Sequence, residues 1–178
     1  MATTRPGITD QDLLRLPKDG RKYELVDGEI RVSPAGARHG QVIVRLTVRL
    51  GAYVAQKRLG EVFDSSTGYR LPGGNVRSPD ASFVASHRLP KVPEGFLEVA
   101  PDLAVEVLSP EDSPREVLDK VGEYLAAGVR LVWVIDPRAS RAVSYRSLSD
   151  VHKIGPDGTL DGEEVLPGFH CPLAELLG

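Results

Sequence analysis

The sequence predicts an α/β fold, and three observations carry that expectation. Two apolar runs, at 103–108 and 131–135, bracket a stretch of helical periodicity, the pattern of a β-α-β unit with a parallel, right-handed crossover. Near the N-terminus, Asp27-Gly28 separates two strand-like runs, a strong hairpin signal. After the core, short strand signals at 141–146 and 151–154 predict antiparallel strands. A chain of 178 residues suits a single domain, here the whole of 1–178, with room for a buried core.

Taken in order, residues 10–16 read as a short helix stopped by Pro17 and an Asp19-Gly20 turn. Tyr23-Glu24-Leu25-Val26 and Glu29-Ile30-Arg31-Val32 form the arms of the hairpin, and Ser33-Pro34 breaks the ribbon. A long helix is expected over 38–58, with Ile43, Leu46, Leu50, Tyr53 and Val54 at helical spacing and Gly60 closing it. It carries a second apolar stripe of Val44, Val48 and Ala55. A helix apolar on two sides is central or covered by another subunit. A homodimer contact through 38–58 is therefore expected, with burial under the C-terminal segment as the alternative. Strands follow at 61–63, 68–71 and 80–84, joined by Gly- and Pro-rich turns, and 86–101 reads as a loop or lid. Ser113-Pro114-Arg115-Glu116 opens the next helix as a capping box with proline in the first turn, and Gly128 ends it. Asp136-Pro137 closes the last core strand, and a short helix is expected at 173–177.

Hydrophobic residues at 41% and charged residues at 26% give the profile of a soluble globular protein. No apolar stretch is long enough to span a membrane, and Met1 to Pro6 lack a signal-peptide core, so a cytoplasmic location is expected. The lone Cys171 excludes an intrachain disulfide and a cysteine-rich zinc site. A net charge of −3 means that any DNA-binding surface must be local or assembled by pairing subunits.

The chemistry-bearing residues are Asp80, Glu106 and Lys120. Glu106 interrupts Leu103-Ala104-Val105-Glu106-Val107-Leu108, where an unpaired carboxylate would be costly. Either an arginine at a strand end pairs with it, or it shares a divalent cation with a second acid. Asp80, at the start of a strand expected beside 103–108, is that second acid; alone, Pro79-Asp80 would be an ordinary turn dipeptide. Lys120 has two readings. Glu116 lies four residues before it and offers a surface ion pair, whereas the buried stripe of Val117, Val121 and Tyr124 would let its amine snorkel toward a site at the sheet edge. Glu24 is either an exposed hairpin residue or part of that site, and His39 either faces the core or reaches it from the first turn of the long helix. Arg38, Arg45 and Arg49 form a narrow stripe, the best local surface for phosphates unless it is simply solvated. His87, His152 and His170 have no metal-cluster spacing.

In this order these residues resemble the Uma-type family of bacterial restriction endonucleases in the PD-(D/E)XK nuclease superfamily. The matching stretches are Tyr23 through Glu29, Ser33-Pro34 with His39, Ser78-Pro79-Asp80, Pro101 through Pro110, and Lys120 through Tyr124 to Gly128, spanning a core of about 22–137. The resemblance implies a restriction-endonuclease-like core, a central mixed sheet with a helix on each side. It also implies that Asp80 and Glu106 ligate Mg²⁺ or Mn²⁺, that Glu24 and His39 line the site, and that DNA is the substrate. The chain departs from the superfamily motif two residues after Glu106, where Leu108 stands instead of lysine. The family resemblance puts the amine on the following helix, at Lys120. Two competing functions remain: a noncatalytic nucleic-acid-binding or assembly domain on the same scaffold, and a hydrolase of small phosphodiesters.

Overall fold

The computed structural model describes residues 8–17, 21–33 and 36–178; the expected Asp19-Gly20 turn and the Pro34 break lie outside them. Helix α1 (Asp10–Leu14) begins with a capping box between Thr9 and Asp12 and ends two residues before the expected stop. The hairpin is β1 (Lys22–Val26) with β2 (Glu29–Ser33). Asp27 (φ 51°) and Gly28 (φ 77°) both take positive φ, which is what a two-residue type I′ turn demands.

Helix α2 (Ala37–Lys57) is followed by β3 (Gly60–Asp64), β4 (Tyr69–Arg70), β5 (Val76–Arg77), β6 (Ala81–Ala85) and β7 (Leu103–Val107). Helix α3 (Pro114–Ala126) leads to β8 (Leu131–Asp136), β9 (Arg141–Tyr145), β10 (Val151–Ile154), β11 (Thr159–Asp161), β12 (His170–Pro172) and α4 (Leu173–Leu177). The main sheet runs β10-β9-β8-β7-β6-β3. Its β7–β8 pair is parallel and the other pairs are antiparallel, a mixed sheet built around the β-α-β unit. A smaller sheet, β2-β1-β5-β4, lies beside it, and β11–β12 form a short hairpin.

The two faces of the main sheet are covered as strand alternation requires. Leu103, Val105 and Val107 pack with Phe83, Trp133 and the Val42-Leu46-Leu50-Val54 stripe of α2. Ala104, Val132 and Val134 pack with Val121 and Tyr124 of α3. The expected α2 stripe is buried at Leu46, Leu50 and Val54; Val42 joins it, while Ile43 and Tyr53 are half-buried at its edge. Tyr53 donates to the Pro167 carbonyl at 2.5 Å, which draws it to the rim. The second stripe is uncovered. Val44 is 62% and Val48 64% exposed, and Ala55 is exposed too, so the C-terminal segment does not bury them.

Other expectations shift. The left-handed residue that ends α2 is Arg58 (φ 56°), not Gly60, and its N–H reaches the Ala55 carbonyl. The segment 86–101 is docked rather than free as a lid. Leu97 is buried, its N–H bonds to Gly68 O at 2.9 Å, and its carbonyl accepts from Arg70 N at 2.9 Å. Strand β5 has two residues and β11 and β12 three each, too short for alternation to register. Among the described residues no helix is long and apolar enough to cross a membrane.

The C-terminal hairpin and α4 enlarge the core below Trp133, which stacks on Phe169 at 6.0 Å. Cys171 is buried there, and burial pushes its thiol up to about 11, with Arg49 opposing and Glu175 adding to the shift. At pH 8 its reaction with an aromatic disulfide reagent is expected to be at least about 100-fold slower in the native protein than after unfolding. Absorbance of the released thiol checks this; comparable rates would mean that the C-terminal hairpin does not cover the sulfur.

Candidate active site

The site forms where β6 and β7 emerge at one end of the main sheet. The antiparallel register Ser82↔Ala104, Ala81↔Val105 sets Asp80, just before β6, beside the end of β7 that carries Glu106, and the Asp80 N–H bonds to Val105 O at 2.8 Å. Both acids line a cleft of about 890 Å³, together with Lys22, Glu24, His39, Arg77 and Lys120. The two carboxylates line the same cleft, and among the described residues their ion-pair partners are Lys22 and His39 for Asp80 and Lys120 for Glu106.

Asp80 is 3% exposed and fully engaged. Its Oδ1 accepts from Lys22 Nζ at 2.8 Å, and its Oδ2 accepts from Val107 N at 2.8 Å and meets His39 Nε2 at 3.1 Å. Burial would raise its carboxyl, but His39 and Lys22 outweigh burial and hold it well below the ordinary carboxylate range. For His39, burial lowers the imidazole pKa while Asp80 raises it further, leaving it above its ordinary value. The histidine thus reaches the site from the first turn of α2, while its buried Nδ1 has no hydrogen-bond partner among the described residues.

Glu106 is held differently. Tyr124 OH donates to its Oε1 at 2.7 Å and Lys120 Nζ to its Oε2 at 3.2 Å. Burial, with Asp80 and Glu24 nearby, raises this carboxyl above its ordinary value against the pull of Lys120 and Lys22. The competing partner of Lys120 is accounted for elsewhere: Glu116 accepts from Ser113 Oγ at 2.7 Å and faces Arg31 at 3.7 Å. Lys120 instead bridges Glu106 and Glu24, the latter at 3.4 Å. Burial lowers its pKa, but these two acids more than compensate.

Glu24 is 2% exposed, not a surface hairpin residue. Its Oε1 accepts from Ser78 N at 2.9 Å, and Arg77 Nη1 lies 3.5 Å from Oε2. Arg77 is itself gripped by Glu123 through Nη2 at 2.5 Å and Nε at 2.8 Å. Sequence reasoning missed Lys22, Arg77 and the Tyr124 hydroxyl. A signal existed for Lys22, since a period of two puts it on the same side of β1 as Glu24.

The arginine stripe is not part of this arrangement. Arg45 donates to the Leu176 carbonyl at 2.9 Å and Arg49 pairs with Glu175 at 2.5 Å, so both fasten α4 to α2. Arg38 is exposed in the first turn of α2 and does not line the cleft. The basic groups that do line it include Arg21 and Arg31. Among the described residues, no group of three His, Cys, Asp or Glu side chains is arranged to hold a metal ion. The donor chemistry is nevertheless that of a hard cation: Asp80, Glu106 and Glu24 offer carboxylate oxygens, which suit Mg²⁺ or Mn²⁺.

Residues 10–174 match the family model Uma2, described as "Putative restriction endonuclease". Comparison with curated proteins gives no match. Among solved structures, a protein from Anabaena variabilis titled "a putative nuclease belonging to DUF820" shares 23% identity and a TM-score of 0.83, over 96% of this chain and 97% of its own. That likeness extends the fold over nearly the whole of both chains, and the family match covers the hairpin, both acid strands and α3: the chain belongs to the Uma2 family.

Proposed function

We propose that this protein is a metal-dependent DNA endonuclease that hydrolyses phosphodiester bonds. The observation that carries the reading is that Asp80, just before β6, and Glu106, on neighbouring β7, line one cleft, with Lys120 on the second acid. Family membership supports the same class of reaction. In this reading Asp80 and Glu106 hold Mg²⁺ or Mn²⁺, which polarises a phosphate oxygen and acidifies water when bound.

The chain's own residues do the rest. His39 and the Val107 N–H fix the Asp80 carboxylate, and the Tyr124 hydroxyl fixes Glu106 Oε1. Lys120 orients the attacking water or stabilises charge accumulating on the phosphoryl oxygens, and Glu24 completes the ligand set or positions a second water. Water oxygen attacks phosphorus in line, the opposite P–O bond breaks, and the departing oxygen takes up a proton. In this reading Arg21 and Arg31, which line the cleft, receive flanking phosphates.

The exposed Val44 and Val48 wall one side of this cleft, and in this reading the homodimer contact runs through 38–58. The reading places the protein in the cytoplasm, where DNA is present.

Purified protein is expected to nick or linearise plasmid DNA with Mg²⁺ or Mn²⁺ and to stop on chelation. Cleavage of bis(p-nitrophenyl) phosphate but no form of DNA would shift the assignment to small diesters. Saturable Mn²⁺ binding with no hydrolysis of either substrate would leave a noncatalytic scaffold.

A further inference from the structure

Lys22 is the cation that the expected metal site already contains. Its Nζ lies 2.8 Å from Asp80 Oδ1, and the side chains are only 13% and 4% exposed. Burial opposes its charge, yet Glu106, Asp80 and Glu24 together raise its pKa, so the ammonium sits in the field of all three acids. The ion-paired cluster contains Glu24, Asp80, Glu106 and Glu123 against Lys22, Lys120 and Arg77, with His39 available as a further cation.

Such a cluster is close to neutral with no ion bound. Adding a doubly charged cation to it is unfavourable unless a resident cation leaves Asp80 or an anion arrives with the metal. Lys120 is the poorer candidate to leave, since it bridges two acids at 3.2 and 3.4 Å. Among the described residues Lys22 makes one ion pair, at the end of a flexible four-carbon stem.

We propose that Lys22 is a built-in counter-ion of the metal-free protein. A divalent ion displaces it from Asp80, and the released ammonium pairs with the phosphate that enters alongside. The proposal rests on the metal-dependent reading and adds two consequences. Lys22 weakens metal binding in the absence of nucleic acid, and metal and phosphodiester bind with positive, reciprocal coupling.

Calorimetric titration with Mn²⁺ tests this without measuring turnover. Without DNA, Lys22→Met should bind Mn²⁺ about 10-fold more tightly than wild type, a usual size for coupling between two ligands. Lys22→Arg, which keeps a cation, should stay near the wild-type affinity. A short phosphorothioate duplex should tighten Mn²⁺ binding to wild type and do so less in Lys22→Met. Unfolding followed by Trp133 fluorescence verifies folding, and Lys22→Gln serves if the methionine variant does not fold. Wild-type binding with equal or weaker affinity in both neutral variants overturns the counter-ion role alone. No Mn²⁺ binding by any form, with or without the duplex, overturns the metal reading as well. A silent wild type beside a binding Lys22→Met would support the displacement directly.

Discussion

Replacing Arg77 with alanine is expected to destabilise the protein by about 3–5 kcal/mol, the usual result of removing one partner from a buried ion network. Arg77 is 3% exposed and joins β5 to α3 through Glu123 and to β1 through Glu24. Without it, Glu24 keeps Lys120 and the Ser78 N–H, while among the described residues Glu123 keeps a hydrogen bond to the Asn75 amide at 3.2 Å. Denaturant unfolding monitored at Trp133 gives the difference, and a loss below about 1 kcal/mol would show that the network is no stronger than a surface pair. The effect also carries a pH signature. Burial raises the Glu123 carboxyl, but Arg77 and Asn75 bring it below its ordinary 4.5. A depressed carboxylate stabilises the fold above its unfolded pKa, and that contribution fades as pH falls through the lower folded value. Glu123→Gln should therefore matter at pH 7 and converge on wild type in acid.

The hairpin, the β-α-β unit and the start of α3 were legible because each is encoded locally, by Asp27-Gly28, by apolar runs of strand length, and by Ser113-Pro114. Asp80 and Glu106 were legible for a different reason: a carboxylate at 106 conflicts with its apolar surroundings and demands a partner. What was not legible depended on distant contacts. Whether Lys120 turned to Glu116 or to Glu106 was undecidable on the helix itself; the hydroxyl of Ser113 and Arg31 on β2 settle it by occupying Glu116. The arginine stripe of α2 was visible, but its partners lie on a helix more than a hundred residues later. Arg77 sits on a two-residue strand, where no periodicity can form, and its role follows from its neighbours alone.

The two acids of the site should also part company when each is neutralised. Glu106→Gln is expected to reduce DNA cleavage at least about 10³-fold, at the upper end of what one preorganised electrostatic contact contributes, while leaving stability at pH 7 unchanged or higher. Burial raises the Glu106 carboxyl above its unfolded value of 4.5, so its stabilising contribution is complete below that value and is lost as pH rises through the folded pKa. Burial thus works against the ionised carboxylate, and an amide of the same shape avoids that cost while still accepting from Tyr124. Asp80→Asn should cause a similar loss of cleavage with the opposite effect on stability. Its carboxyl is depressed by His39 and Lys22, so it stabilises the fold above the unfolded value of 3.8, and neutralising it leaves the Lys22 ammonium without its ion pair. The expected cost is about 1–3 kcal/mol at pH 7, that of a buried charged group losing its partner. Cleavage rates with saturating Mn²⁺, set beside thermal unfolding of both variants, separate these effects. Glu106→Gln cleaving within about 10-fold of wild type would remove this acid from the chemistry, since the loss would fall below that of a single such contact. Asp80→Asn matching wild-type stability would mean that its bonds to Lys22, His39 and Val107 contribute nothing to the fold.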